Sequence, residues 1–532
     1  NIAIINGFTV ININEAPDAK KTSKYYGLVA SQVTGGKLDV ENFMVKGTGV
    51  AETSTQFNFK HNKNEIAHLF EKVSVGGVVG LMNGDVDFSV LNNRGDDGTE
   101  EFKIFNPQIN SAFKNLGGFA GVYKSGTPSI SGMSENNMFI LTGASNVGGV
   151  FSLVVGSWTN AQLDYVSEQP QVWGKGEYFE YKQVEGKNTF VKVLFTTNEG
   201  VVSPAWENGK YYAIQHSMQD GMHETLNKAI SKVIVSSVNG DTTGATINSN
   251  IGGLFGELKS NLPFIASDKT IANKNILAFA ESADETDFAK NIGGIAGSFV
   301  GQTKINVGYA GTDYEISLIP NAYNLINKVQ IGDKFNGEFI QFSEALNAEK
   351  NTAKPINVGG IFGYVGIDAS IQNVLNSANI SGYKNVGGYV GYFAGKGSAV
   401  HAQFSMSANA DPTKVVGIYG VVNVGGVFGC LSNTKLTGSS LIGSPSAEET
   451  LTNISVYGNT NVGALAGLIA NAQISEFKIS APEIKAIYEK SVQNGKAISV
   501  IPSGVGGLCG QVFNSTLSNN TISSPNITST DE

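Results

Sequence analysis

Five histidines are the first candidates for chemistry: His61, His68, His216, His223 and His401. A zinc site needs them paired at ligand spacing with further nitrogen, sulfur or carboxylate donors. His61 and His68 stand seven apart on a stretch that could be helical, and His223-Glu224 has nothing to complete a set; no H-E-x-x-H occurs. These residues read as packed or surface histidines, and no metal is expected. The acidic run Asp96-Asp97-Gly98-Thr99-Glu100-Glu101 offers the oxygen donors that calcium takes, without EF-hand spacing. It reads better as a solvated turn after Asn92-Asn93. Arg94-Gly95-Asp96 matches an integrin-type tripeptide, too short a motif to carry an argument. Glycan cleavage needs two carboxylates about 5–10 Å apart in a groove. Asp39, Asp85, Asp87, Asp164 and Glu185 form no recurring arrangement. No catalytic residue and no cofactor are expected, and the chain is not read as an enzyme.

One more motif invites chemistry. Asn423-Val424-Gly425-Gly426-Val427-Phe428-Gly429 is glycine-rich and recurs, as NVGGIFG at Asn357–Gly363, NVGGYVG at Asn385–Gly391 and NIGGIAG at Asn291–Gly297. It has no P-loop lysine, and its many copies would mean as many identical nucleotide sites. Structural glycine is the better account. Copies begin at Gly76, Gly117, Gly148, Gly252, Gly293, Gly359, Gly387, Gly425, Gly463 and Gly506, at spacings of 41, 31, 104, 41, 66, 28, 38, 38 and 43 residues. Repeats of that length signal an array or solenoid.

Aligned by offset from the first glycine, offsets 0 and 1 are Gly-Gly, except Gly463-Ala464. Offset 2 is apolar or Tyr, offset 4 is Gly or Ser152, and offset 6 is apolar or Tyr. Alternation by two predicts that offsets 2, 4 and 6 share one face of a strand. Offset 3, as in Val79, Phe151 and Phe362, covers the other face. The pairs Gly76-Gly77, Gly359-Gly360, Gly387-Gly388, Gly425-Gly426 and Gly506-Gly507 mark places where the backbone turns tightly or meets the next coil. A more polar strand follows each motif, so each repeat must stack on its neighbours to bury an apolar face.

The expected fold is all-β, a parallel β-helix or β-solenoid built from glycine-rich repeats, with inserted loops or small α-containing excursions. Solenoid coils are placed at 1–156, 247–311 and 355–532. An aromatic-rich insertion fills 157–246 and a partly helical one 312–354. The first insertion holds Trp158, Trp173, Trp206, Tyr211 and Tyr212, a candidate recognition surface. Helices are predicted at 64–73, 323–329, 339–348 and 482–492 from apolar spacing. Ile2, Ile4, Phe8 and Val10 fall on even positions, as along one strand face, and Tyr26–Ala30 reads as a degenerate first copy.

Composition bounds the rest. The 532 residues include 65 glycines, 15% charged residues against a usual share of about 25%, and a net charge of −9. Arg94 is the sole arginine, which argues against specific nucleic-acid recognition. Cys430 and Cys509 lie two coils apart, roughly 9–10 Å at strand spacing, and are expected to be free, buried thiols. No run of 18 apolar residues appears, so no membrane span is expected. The chain begins at Asn1 with no basic-then-apolar leader and reads as processed or partial. Sequons at Asn379, Asn453, Asn514, Asn519 and Asn526 are compatible with a secreted surface.

With several copies of N-V-G-G-[VIY]-[FV]-G followed by a polar strand, the chain resembles the GLUG-motif repeats of bacterial surface proteins. These include adhesins and the non-catalytic regions of immunoglobulin A peptidases. The resemblance spans about 76–522 outside the two insertions and carries over no catalytic residue. It implies an extracellular or cell-surface β-solenoid stalk, adhesin segment or filament subunit, whose partners are its own copies or other surface proteins and glycans. Two other functions stay open: a glycan- or protein-binding module using the aromatic insertion, and a β-helical glycan-active enzyme.

Overall fold

The computed structural model describes residues 4–6, 9–13, 23–46, 56–61, 73–90, 108–111, 114–134, 138–143, 146–155, 159–165, 178–193, 196–198, 201–203, 210–218, 222–235, 250–260, 270–279, 290–309, 312–317, 320–332, 356–397, 402–407, 415–438, 454–480, 482–487, 489–493, 496–523 and 525–530. The described residues form a parallel β-solenoid with one short helix. Its most regular face is an eleven-stranded sheet in which every strand ends on the first glycine of a motif copy. The glycines pair one on one, from Gly27 with Gly76, through Gly359 with Gly387 and Gly425, to Gly463 with Gly506. Tyr26–Ala30 is therefore a genuine first copy, and there are eleven.

The motif is not a single strand. The chain bends at offsets 1 and 2, and a new strand begins at offset 3, on a second, thirteen-stranded sheet. NVGGVFG is thus a corner: Val422–Gly425 runs along one face and Phe428–Ser432 along the next. The expected alternation over offsets 2, 4 and 6 gives way to inward positions at offsets 2, 3 and 6. The offset-6 column, Met82, Tyr123, Val154, Leu258, Phe299, Val365, Phe393, Leu431 and Ile469, is wholly buried. At offset 4 the glycine lies against the backbone of the preceding coil, where a Cβ would collide; Gly121, for example, faces Val75. At offset 1 a Cβ would run into the next coil's offset-1 carbonyl at every glycine from Gly77 to Gly426.

Two further faces close each coil. An eight-stranded sheet runs from Ile271–Asn273 to Thr516–Ser518. A fourth face holds a six-stranded and a five-stranded sheet, joined through single bridges from Ile331 to Leu277 and Ile380. The helix Met222–Lys228 occupies the third face where no strand does. Met222 and Leu226 enter the core, while the Asn227 side chain donates to the Thr270 carbonyl and accepts from the Ala272 N–H, as a neighbouring strand would.

Several local expectations are corrected. Residues 323–329 and 482–492 form strands, Asn321–Tyr323, Leu325–Asn327, Glu483–Ile487 and Glu489–Gln493, because neighbouring coils offer ladder partners to the first three and Lys496–Val500 pairs antiparallel with the last, which outweighs the apolar spacing. Ile4 and Val10 lie on two strands, Ile4–Asn6 and Thr9–Ile13, in different sheets. The helices placed at 64–73 and 339–348 fall outside the described residues, apart from Val73, which opens a strand. Within 157–246, Ser231–Val235 is a solenoid strand paired on both sides. The hairpin Lys304–Tyr309/Thr312–Ser317 straddles the boundary expected at 311–312.

Candidate assembly surface

Two polar ladders tie the corners together, and both have a direction. In the first, the offset-2 N–H of each coil donates to the offset-2 carbonyl of the next, from Val29 to Val78 through Leu465 to Leu508. The offset-1 N–H donates to the next coil's offset-0 carbonyl, as Gly77 to Gly117 and Gly426 to Gly463. Parallel strands normally alternate N–H and C=O along each edge. At these corners the donors face one way only.

The second ladder is made of asparagine side chains two residues before the first glycine in eight of the eleven copies. Asn146 Nδ2 donates to Asn115 Oδ1 at 3.0 Å, Asn250 to Asn146 at 2.8 Å and Asn291 to Asn250 at 2.6 Å. Asn357, Asn385, Asn423 and Asn461 continue it at 2.7–2.8 Å. At its start Asn115 donates to Ser74 Oγ. Asn357, Asn385, Asn423 and Asn461 also hold φ of 54–56°. Asparagine tolerates that left-handed conformation better than other side-chain-bearing residues. The invariant-looking N of the motif thus does two jobs; its recurrence was visible in the sequence, its role was not. A shorter buried ladder, Asn273–Asn327–Asn376, stands on the third face.

These repeats converge on the last described coil, Ser503–Thr530. Each of its strands lies at the margin of a sheet among the described residues. Val512 continues the buried column of Leu431 and Ile469, yet is 44% exposed. Ile527, in register with buried Ile484, is 48% exposed, and Phe513 and Ile501 are 62% and 73% exposed. Gly507 differs from the other offset-1 glycines. A Cβ there meets nothing nearer than 3.7 Å, because the space filled elsewhere by the next carbonyl is open. Residues 497–530 include no charged side chain. Beside this coil a cleft of about 660 Å³ is lined by amides and hydroxyls, among them Asn433, Asn471, Asn514, Gln473 and Thr516.

The expected recognition surface fares differently. Trp158, Trp173 and Trp206 lie outside the described residues. Tyr211 is 1% exposed, and Tyr212 is packed into an aromatic cluster. That cluster joins the antiparallel sheet Thr159–Tyr165, Tyr211–Met218, Tyr178–Val184 and Lys187–Val193 to the 304–317 hairpin. Phe190 stands at its centre, with Tyr212, Tyr309 and Tyr314 at 5.1–5.3 Å and nearly perpendicular. Hydroxyl pairs Tyr181–Tyr314 at 2.9 Å and Tyr212–Tyr309 at 2.8 Å close it. Tyr212 is therefore part of the framework of a side module, its ring packed in the cluster, while Tyr211 on the same strand is buried outside that cluster.

The ten motif glycines expected to be structural, Gly76, Gly77, Gly359, Gly360, Gly387, Gly388, Gly425, Gly426, Gly506 and Gly507, all sit at corners. Both cysteines are free; Cys430 is buried, while Cys509 is only half-buried, because no described coil covers it. Burial pushes both thiols up to about 12. Among the described residues no cluster of three His, Cys, Asp or Glu could hold a metal, and no helix is long and apolar enough to cross a membrane. The molecule belongs to the class of parallel β-solenoids. Compared with known proteins, the chain matches no family model, no curated protein and no solved structure.

Proposed function

We propose that this chain is a structural repeat protein of the extracellular cell surface, a stalk, adhesin segment or filament subunit of the GLUG-motif kind that works by assembly and adhesion. The observation that supports this is the stack itself: eleven copies of one motif pair corner on corner, glycine against glycine, from Gly27 to Gly506. Extended coil stacks also suit a stalk, since each coil contacts only its neighbours and length is added without redesign. The amide-lined cleft favours a second reading, a glycan-binding module, because its donors and acceptors match hydroxyl-rich ligands.

The test is light scattering and negative-stain electron microscopy of residues 1–532 over a wide concentration range. Oligomers that lengthen with concentration are expected. A chain that stays monomeric throughout, yet gives signal on a glycan array, would replace assembly with the binding module.

A further inference from the structure

Among the described residues, the third face lacks a strand in one coil. In the coil of the Gly148 copy the helix Met222–Lys228 stands where neighbouring coils place Pro128–Ser131 and Ile271–Asn273, and those two strands do not pair with each other. Side-chain bonds stand in for the missing ladder. Thr225 Oγ1 donates to the Pro128 carbonyl at 2.6 Å, Asn227 Nδ2 to the Thr270 carbonyl at 2.8 Å, and the Ala272 N–H to Asn227 Oδ1 at 2.7 Å. The aromatic module leaves the solenoid on both sides of this interruption. Its sheet leaves the Gly148 coil between Phe151–Val154 and the helix, and its hairpin leaves the Gly293 coil between Ala296–Phe299 and Asn321–Tyr323. The Gly252 coil lies between them, with Phe255 facing Phe151 on one side and Ala296 on the other.

We propose that this module is a strap. The sheet from the Gly148 coil and the hairpin from the Gly293 coil are joined across the Gly252 coil, and they hold closed the two coil boundaries beside the interrupted face. The strap needs only one copy of the chain and stands apart from the assembly reading. Its joint draws on both sources: Tyr181, Phe190 and Tyr212 come from the sheet, and Tyr309, Tyr314 and Ile316 from the hairpin. Phe190 meets Tyr309 at 5.1 Å and Tyr314 at 5.2 Å, and each hydroxyl pair joins one tyrosine of the sheet to one of the hairpin. Edge-to-face ring pairs of this kind attract beyond the area they bury. The connectors are short, four residues at 155–158 and 300–303 and three at 219–221 and 318–320. A four-residue connector spans at most about 18 Å, so parting coils load the cluster before a boundary opens far. While the cluster holds, the two outer coils stay close, and their high effective concentration recloses the Gly252 coil between them.

Hydrogen exchange of the 532-residue chain, read by mass spectrometry, tests the strap. Val150 and Phe151 donate to the Leu254 carbonyl, and Leu254 and Phe255 to that of Ile295, so these amides report on the two boundaries. Val427 and Phe428, which donate to the Leu465 carbonyl away from the strap, serve as the reference. Phe190→Ala should speed exchange of the four boundary amides about tenfold or more and leave the reference unchanged. A second variant keeps the cluster but slackens the strap, by inserting about ten glycine and serine residues after Gln302. It should speed the same four amides while the tyrosine signal in near-ultraviolet circular dichroism persists. If the four amides keep their rates in the slackened chain, or change only together with Val427 and Phe428, the module is a passenger on the solenoid and the proposal falls.

Discussion

The first and last coils of this solenoid share one motif, yet meet solvent in different ways. The strand Ala30–Lys46 of the first coil carries Lys37, Asp39 and Glu41 on exposed positions. Lys37 pairs with Asp39 at 3.6 Å and with Asp87 of the second coil. Those neighbours, Asp87 first, raise the Lys37 ammonium above its ordinary value, so it stays charged. The last coil places Phe513, Val512 and Ile527 in solvent and has no charge to offset them. Exposed ion pairs add little stability, commonly below about 1 kcal/mol. Their use at an edge is to keep wrong strands away, and the contrast teaches that two copies of one motif can carry either a charged or an uncharged, apolar strand.

The sharpest way to break the comparison is through glycine. Gly426→Val forces a side chain into the Ala464 carbonyl, a backbone group that cannot rotate away, and should cost upward of about 3 kcal/mol and abolish cooperative folding by circular dichroism. Gly507→Val, at the same offset of the last coil, should leave thermal stability within about 0.5 kcal/mol. Equal effects at both sites would erase the distinction between inner and outer coils.

A smaller effect separates the asparagines. Asn423→Ala removes the bond to Asn385, orphans the amide of Asn461 and places alanine at φ 56°, for a loss of about 2–4 kcal/mol. Asn250→Ala breaks two comparable bonds without a left-handed φ and should lose about 1–2 kcal/mol less in a urea titration. Similar losses would mean that the ladder alone, and not the backbone conformation, holds the corner.

The smallest effect concerns pH near the last coil. Glu483 accepts from Ser455 Oγ at 2.7 Å and lies 3.0 Å from Lys485, and these partners hold its carboxyl below 4.5 despite partial burial. A depressed carboxylate stabilises the fold fully above its unfolded value and loses that contribution as pH falls through the folded one. Glu483→Gln should therefore flatten acid unfolding below pH 4.5 by less than about 1 kcal/mol, since the side chain is one-third exposed. An unchanged acid limb in thermal scans would remove the Ser455–Glu483–Lys485 group as a stabilising link between the last coils.

Much of this architecture was readable before any coordinates. Nine Gly-Gly pairs and Gly463-Ala464 marked ten corners because a Cβ fits at almost none of those glycines, and Tyr26–Ala30 marked the eleventh. What escaped was the bend inside the motif. Offsets 2 and 6 are apolar in a strand and in a corner alike, so period-two counting could not separate them. The 323–329 and 482–492 segments misled for a related reason: a coil's strand is fixed by strands distant in sequence, and local spacing does not register them. Tyr212 looked like a recognition residue, but its partners, Tyr309 and Phe190, come from a hairpin about a hundred residues on and from the same sheet. The space around Gly507 could not be read at all, since eight other copies carry glycine at the same offset.

The one-way corner ladder also decides how the molecule bears force. Strands lie across the solenoid axis, so tension applied along that axis loads the Val78–Phe119 type of bond end-on, one coil boundary at a time. Such a stack does not resist as a sheared sheet does, with all bonds strained together. It yields rung by rung, each coil paying out its own length of chain while the remainder keeps its pitch, which makes the solenoid an extensible tether instead of a rigid strut.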